Sequence, residues 1–368
     1  IRDLGATHVW YTGVIRHATS QHNTPSIVKG KAGSPYAITD YYDIDPDICE
    51  DKRRRMHEFE ELVERSHQAK LDVIIDFVPN HVAREYHSTC KPKGVEDLGA
   101  TDNPQWAFSP LNNFYYIHQP FAPSFDVEGY TENPTRATGN DCFTAHPSKD
   151  DWYETVKLNY GVFYQGSGEQ QFDPIPNTWH KMLHILLFWS NKGVDGFRCD
   201  MAEMVPQAFW AWVIPQVKAK YPNILFIAEV YNPNLYREYL AAGFDYLYDK
   251  VGMYDYLRGV TSKNWSAEGI TLQWQNVDDI RDHMLYFLEN HDEQRIASGF
   301  FCGRGMCAEP AMIVAATLGK NPVMIYAGQE LGEKGMDAEG FSGMDGKTTI
   351  FDYWGIKSLQ AWANHGKF

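Results

Sequence analysis

Basic residues are scarce in this chain of 368: 33 Lys and Arg stand against 48 Asp and Glu, a formal net charge of −15. Nucleic acids and anionic membrane surfaces reward basic patches, so neither is expected as a partner. Long apolar runs are missing too. None reaches the ~18 residues of a membrane-spanning helix, and no signal peptide is visible. Cysteines are few and scattered, at 49, 90, 142, 199, 302 and 307. No two form a CxxC pair and zinc spacing is absent, so no zinc module is expected; bridges and redox compartment stay undecided. No repeat or low-complexity tract occurs. An initial Met is lacking as well: the sequence opens on Ile1 in "IRDLGA", which reads like the last turn of a helix, and a fragment is expected.

What is abundant is aromatic surface, with 22 Tyr and 11 Trp in a chain that is 43% hydrophobic. Such a chain can bury a sizeable core. Aromatic planes stack on sugars but also fill large barrels, and composition leaves both readings open.

Strand and helix patterns alternate, which predicts an α/β fold with a parallel sheet. Strands are expected at 7–15, 71–81, 194–200, 223–231, 244–249, 283–292 and 322–328. Helices are expected at 46–70, 176–192, about 206–220 and 308–319, with a closing helix in "SLQAWANHG" at 358–366. From 82 to 174 the rhythm fails: no long helix pattern appears, and Pro, Asn, Gly and aromatics dominate. That is too long for a loop, so it reads as an inserted subdomain. Seven strands fit a (β/α)8 TIM barrel that lacks its first. The barrel is expected over 1–81 and 175–368, with the insertion following its third strand.

Barrel chemistry lies at the C-terminal ends of strands. Those ends carry Asp76, Asn80 and His81; Arg198 and Asp200; Glu229; and Glu289, Asn290, His291 and Asp292. Arg198 and Asp200 are two apart on a strand and share a face, while Cys199 turns away as a packed thiol. Any one such end could be a solvated charge or a helix cap. Repeated at one rim, they suit glycoside hydrolysis, in which one carboxylate attacks the anomeric carbon and a protonated one gives its proton to the leaving oxygen. The same carboxylates could hold a divalent metal in a lyase or aldolase barrel, although Arg198 would repel it. Trp10, Tyr11, Trp189, Trp210 and Trp212 read as packing residues rather than sugar platforms.

At these residues the sequence resembles the α-amylase family of glycoside hydrolases. "DFVPNH" (76–81), "GFRCD" (196–200), "AEV" (228–230) and "FLENHD" (287–292) follow the family's segments in order, and "YAGQE" (326–330) and "SPYAITDYYDIDP" (34–46) fit further ones. The resemblance implies that Asp200 is the nucleophile, Glu229 the acid and base, and Asp292 the third carboxylate. It implies that Arg198 holds Asp200 ionised, that His81 and His291 bind sugar hydroxyls, that Tyr36 stacks beneath the sugar, and that Asp76 orients Arg198. Asp200 should then have a low pKa and Glu229 a raised one. The insertion becomes the family's domain B, and the family's first strand and C-terminal β-sandwich, both absent here, are expected in a longer protein.

The implied activity is retaining hydrolysis of α-glucosidic bonds in starch-like glucans or malto-oligosaccharides, with secretion or a periplasmic location expected. Transglycosylation, exo-α-glucosidase activity and a non-catalytic glycan-binding or accessory role stay open. No cofactor is needed for the chemistry. A structural calcium at Asn80 is implied, yet members without calcium keep that Asn. Departures fall at "MAEM" (201–204), where Glu203 and Met204 replace the family's Lys-His, at "VKLNYG" (156–161), and at Pro35.

Overall fold

The computed structural model describes residues 1–335 and 344–364. The chain divides into two compact units. The first takes residues 1–29, 33–229 and 241–244; the second takes 30–32, 230–240 and the described residues from 245 onward.

The first unit opens with β1 (His8–Tyr11), β2 (Ile15–His17), β3 (Ile38–Ile44), α1 (Arg55–Gln68) and β4 (Asp72–Phe77). Short strands follow: β5 (His81–Ala83), β6 (Tyr116–Ile117), β7 (Thr135–Arg136) and β8 (Thr155–Lys157). Then come α2 (Asn177–Asn191), β9 (Gly196–Cys199), α3 (Gln207–Lys220) and β10 (Leu225–Ala228). Strands β1, β4, β9 and β10 pair side by side and parallel in that order. A parallel strand covered on both faces should be apolar throughout, and β4 buries Val73, Ile74, Ile75 and Phe77 completely or nearly so. Helix α2 buries Trp179, Met182, Ile185, Leu186 and Trp189, a stripe at helical spacing. Each such side chain contributes about 1.5–3 kcal/mol by leaving water. The helix stops where Gly193 takes φ +89°, a left-handed residue that ends the turn.

Several expected boundaries move, each for a local reason. The strand expected at 7–15 ends at Tyr11. Gly13 has φ +69°, and a Cβ there would meet Pro35 Cβ at 2.7 Å. The chain turns, and β2 pairs antiparallel with β3. The helix expected from 46 begins as a 3-10 turn at Pro46–Ile48, capped by Asp45, and becomes α1 only at Arg55. The strand expected at 71–81 ends at Phe77. Pro79 has no N–H for a ladder, and His81 starts β5, which pairs antiparallel with β8. Strand β3, buried along its whole length, has no counterpart among the expected strands. Residues 82–174 form no helix; their regular structure is short antiparallel pairs, β5 with β8 and β6 with β7.

The second unit holds most of α4 (Tyr236–Ala241), then β11 (Tyr246–Tyr248), a π-helical turn (Lys250–Tyr254), α5 (Asp255–Ser262) and α6 (Gly269–Asn276). It continues with β12 (Met284–Phe287), α7 (Glu309–Thr317), β13 (Val323–Met324) and α8 (Lys357–Ala363). Strands β11, β12 and β13 are parallel neighbours. Helices α4, α5 and α6 have no counterpart among the expected helices. The expected closing helix is α8, and residues 365 and 366 of that expectation lie outside the described residues. Among the described residues, no helix is long and apolar enough to cross a membrane.

Candidate active site

Strand register does the first part of the assembly. Asp76 of β4 lies opposite Arg198 of β9, and Cys199 lies opposite Ala228 of β10, one residue before Glu229. Period-two alternation then sends Arg198 and Asp200 to one side. Cys199 points away and is fully buried, its thiol pushed up by that burial. The expectation of a packed thiol holds.

All three expected carboxyls of this unit meet one guanidinium. Arg198 Nη1 donates to Asp200 Oδ1 at 2.7 Å and to Asp76 Oδ1 at 3.4 Å, and Nη2 lies 2.8 Å from Glu229 Oε1. Every member of the cluster is buried: Arg198 is 1% exposed, Glu229 2%, Asp76 4% and Asp200 6%. Three ionised carboxyls on one cation leave excess negative charge away from water, which favours keeping a proton in the cluster. Burial raises Asp200 to about 8; Arg198 opposes this, and the charges of Glu229 and Asp76 add to it. The depressed pKa expected for Asp200 is therefore not found here, because desolvation outweighs the cation.

Backbone groups fix the carboxyls further. Asp200 N–H donates to Phe77 O at 2.9 Å, and Glu229 N–H to Cys199 O at 3.2 Å. The chain after Asp200 turns sharply: Met201 adopts φ +44° and its N–H donates to Glu229 Oε2 at 2.7 Å. Asp76 is held by Trp10 Nε1 at 3.1 Å and by Gly13 N–H at 3.2 Å. The rings of Trp10 and Tyr36 face the Arg198 guanidinium at 5.4 and 5.5 Å, near enough for cation–π attraction. Trp10, expected only to pack, is thus the donor that orients Asp76. A lone Trp on a strand gives no sign of this in sequence. Tyr11 does pack against a helix, through its hydroxyl to Ser66 Oγ at 3.0 Å.

His81 and Tyr36 come together as well. Both are buried, and the His81 ring bonds to the backbone of Tyr36. Burial lowers His81 from 6.5 to about 3, reinforced by the charges of Lys157 and Lys29. His81 is therefore a neutral imidazole, able to donate with one nitrogen and accept with the other. Trp152 lies against it, ring centroids 5.3 Å apart.

In the second unit, β12 leads into Glu289–Asp292. His291 is buried and its Nε2 lies 3.1 Å from Asp292 Oδ2; the Asp292 side chain is 42% exposed. Asp292 N–H donates to Asn290 Oδ1 at 2.9 Å. Glu289 is not a rim charge: it pairs with buried Arg295 at 2.9 Å and accepts from Ile296 N–H at 2.6 Å.

Asn80, the residue the resemblance offers to calcium, accepts through Oδ1 from Lys157 Nζ at 2.5 Å and donates through Nδ2 to Gly139 O at 2.8 Å. Oxygen and sulfur atoms of Asp40, Asp43 and Cys90 also cluster. There Asp40 accepts from Ser88 and the Thr89 and Cys90 amides, and Asp43 is engaged by Arg55, so the charge is met without an ion. A cavity of about 810 Å³ lies within the first unit, lined by Tyr86, Phe114, Tyr116, Glu132 and Arg136 among others. No candidate catalytic residue lines it.

Parallel strands alternating with helices, with carboxyls gathered at strand ends, are the arrangement of a barrel-type enzyme. Comparison with known proteins agrees. Residues 1–352 match the family described as "Alpha amylase, catalytic domain". The chain belongs to the α-amylase family, and its fold class is that family's (β/α)8 TIM barrel, with seven parallel strands among the described residues. It is 27% identical over 323 residues to Alpha-amylase 3 of Dictyoglomus thermophilum, a match covering 82% of this chain and 54% of that one. It is 25% identical over 279 residues to an alpha-1,4-glucan:maltose-1-phosphate maltosyltransferase of Cereibacter sphaeroides, covering 72% and 38%. The crystal structure of an alpha-amylase from Lactobacillus plantarum superimposes with a TM-score of 0.62 at 24% identity, over 97% of this chain and 71% of that one. The chain thus spans about half, or less, of these curated relatives' length.

Proposed function

We propose that this chain carries the catalytic machinery of a retaining enzyme acting on α-glucosidic bonds of starch-like glucans or malto-oligosaccharides. The observation that carries this reading is the single guanidinium of Arg198 engaging both Asp200 and Glu229. A pair held by one fork suits the short carboxyl separation of retaining glycosidases.

In this reading Asp200 attacks the anomeric carbon as a carboxylate while Glu229 donates the proton to the departing glycosidic oxygen. The covalent ester is then released by water, whose proton Glu229 takes back. Arg198 stabilises the ionised Asp200 at the moment of attack and keeps both carboxyls aimed. Asp76, itself held by Trp10 and Gly13, is a positioning residue for Arg198. Tyr36 and neutral His81 meet the sugar, one by stacking and one by hydrogen bonds. By resemblance Asp292 takes the part of the third carboxylate and His291 that of a hydroxyl binder. Residues 82–174 are assigned as domain B. The relatives' names support α-glucan chemistry: one is an amylase and one a maltosyltransferase. The latter favours a second reading, in which a sugar hydroxyl replaces water as the acceptor and the first half-reaction is unchanged.

The deciding experiment is a product profile of the full-length protein on starch, pullulan, maltose and sucrose, with the anomer of the first product followed by NMR. Retained α-anomer is expected. An inverted product, or no turnover of any α-glucan, overturns the reading; longer oligosaccharides than were supplied identify transfer.

A further inference from the structure

The family resemblance implies a calcium at Asn80, and the residues present do not fit one. We propose that the ammonium of Lys157 is the resident cation at this position, and that the chain is held together there without calcium. The proposal concerns stability and stands whether the reaction is hydrolysis or transfer.

Lys157 ends β8, opposite His81 in the antiparallel pairing with β5. Its side chain is 2% exposed. Its Nζ lies 2.5 Å from Asn80 Oδ1, 2.7 Å from Asp141 Oδ1 and 3.3 Å from Met204 O. An amide, a carboxylate and a backbone carbonyl, from three separate segments, make the kind of hard-oxygen set that calcium takes. They equally match the three N–H donors of an ammonium. The amide cannot be turned away from this role, because Nδ2 of Asn80 is committed to Gly139 O at 2.8 Å and faces His81 Nδ1 at 3.1 Å. Asp141 is presented from a left-handed backbone, φ +62°.

Charge decides between the two cations. One carboxylate balances one ammonium, whereas a divalent ion beside the same carboxylate would leave positive charge uncompensated and would face the lysine itself. The lysine has no retreat, since its stem is buried between the strands. The cation therefore comes covalently attached to β8. It ties the Asn80–His81 corner to the Met201–Met204 turn that follows Asp200.

The test is thermal unfolding of the full chain in EDTA and in excess calcium, for the native chain and for Asp141→Asn. The native midpoint is expected to be the same in both media, and Asp141→Asn to be lowered equally in both. A calcium-induced rise in the native chain that Asp141→Asn abolishes overturns the proposal. A rise that Asp141→Asn leaves intact reports an ion bound elsewhere and counts for it. A second measurement needs no variant: acetylation of lysines by acetic anhydride, mapped by peptide mass spectrometry. Lys157 is expected to stay protected in both media; protection lost on adding calcium overturns the proposal.

Discussion

Arg198 in the first unit and Arg295 in the second are both buried against carboxylate, and the two sites are built to different rules. In the first unit Arg198 meets Asp76, Asp200 and Glu229. In the second, Arg295 forms an ion pair with Glu289 at 2.9 Å, donates from Nε to Thr348 Oγ1 at 2.9 Å, and lies 3.8 Å from the centroid of the Tyr326 ring. The second site is nearer to balance: Arg295 and Glu289 form one direct ion pair, a hydroxyl and an aromatic face flank the guanidinium, and the charge of Glu333 acts on both. Burial raises Glu289 above its ordinary value and the charge of Glu333 adds to this, while Arg295 and the Ile296 N–H oppose it in part. The first site is overloaded, holding more acid than base. A balanced buried pair serves the fold and can often be replaced by apolar side chains of similar volume. An unbalanced one is costly to keep, and a fold that keeps it does so where protons are to be moved.

That contrast is most easily broken at Asp200. Asp200→Asn should lower turnover of starch on the order of 10⁴-fold or more, because the nucleophile is lost, while far-UV circular dichroism and the melting midpoint stay close to native. Near-normal starch hydrolysis by this variant would sink the assignment. The balanced pair should respond in the opposite sense. Arg295→Met leaves Glu289 without its counter-charge and is expected to cost ~3–5 kcal/mol of stability, read from urea midpoints. Adding Glu289→Leu should recover part of that loss. Failure of the second substitution to recover anything would mean that the pair is not self-contained.

A third test uses pH. His81 is lowered to about 3 in the folded chain, below its value in the unfolded chain. The unfolded state therefore binds more protons in the window between, and folding stability fades as pH falls from about 6.5 toward 3. The slope is at most ~1.4 kcal/mol per pH unit from this one group. Unfolding midpoints between pH 4 and 7 should fall less steeply for His81→Asn than for the native chain; parallel curves would remove His81 as the cause. The smallest effect is expected at Trp10. Trp10→Phe keeps the ring beside Arg198 and deletes one bond to Asp76, about 0.5–1.5 kcal/mol. This should lower kcat a few-fold with KM little changed; a change in KM alone would assign Trp10 to substrate instead.

The elements with strong periodicity were legible in the sequence. Helix α2 with its apolar stripe and β4 with its run of Val, Ile and Phe stand where their patterns put them. So do the residues gathered by strand register: once β4 and β9 are recognised as neighbours, alternation alone brings Asp76, Arg198 and Asp200 to one side. What escaped is governed by longer-range contacts. The turn at Gly13 depends on Pro35, and β3 reads as polar because Asp40 and Asp43 are buried only with partners from distant segments, Ser88, Thr89 and Arg55. The pKa of Asp200 was misjudged because an adjacent cation is visible in a sequence and the depth of burial is not. Lys157 lay in a segment that departs from the family pattern, and its meaning came only from the three oxygens around it.

The turn at Met201 also limits how this site can change. A residue with φ +44° tolerates few side chains without strain, β-branched ones least of all. Its amide is committed to Glu229. Variation just after Asp200 is thereby filtered by backbone shape before any substrate is consulted. Two residues on stands Glu203, in the half-buried turn where the sequence departs from the family pattern. A lineage adapting this site would be expected to leave Met201 within a narrow alphabet.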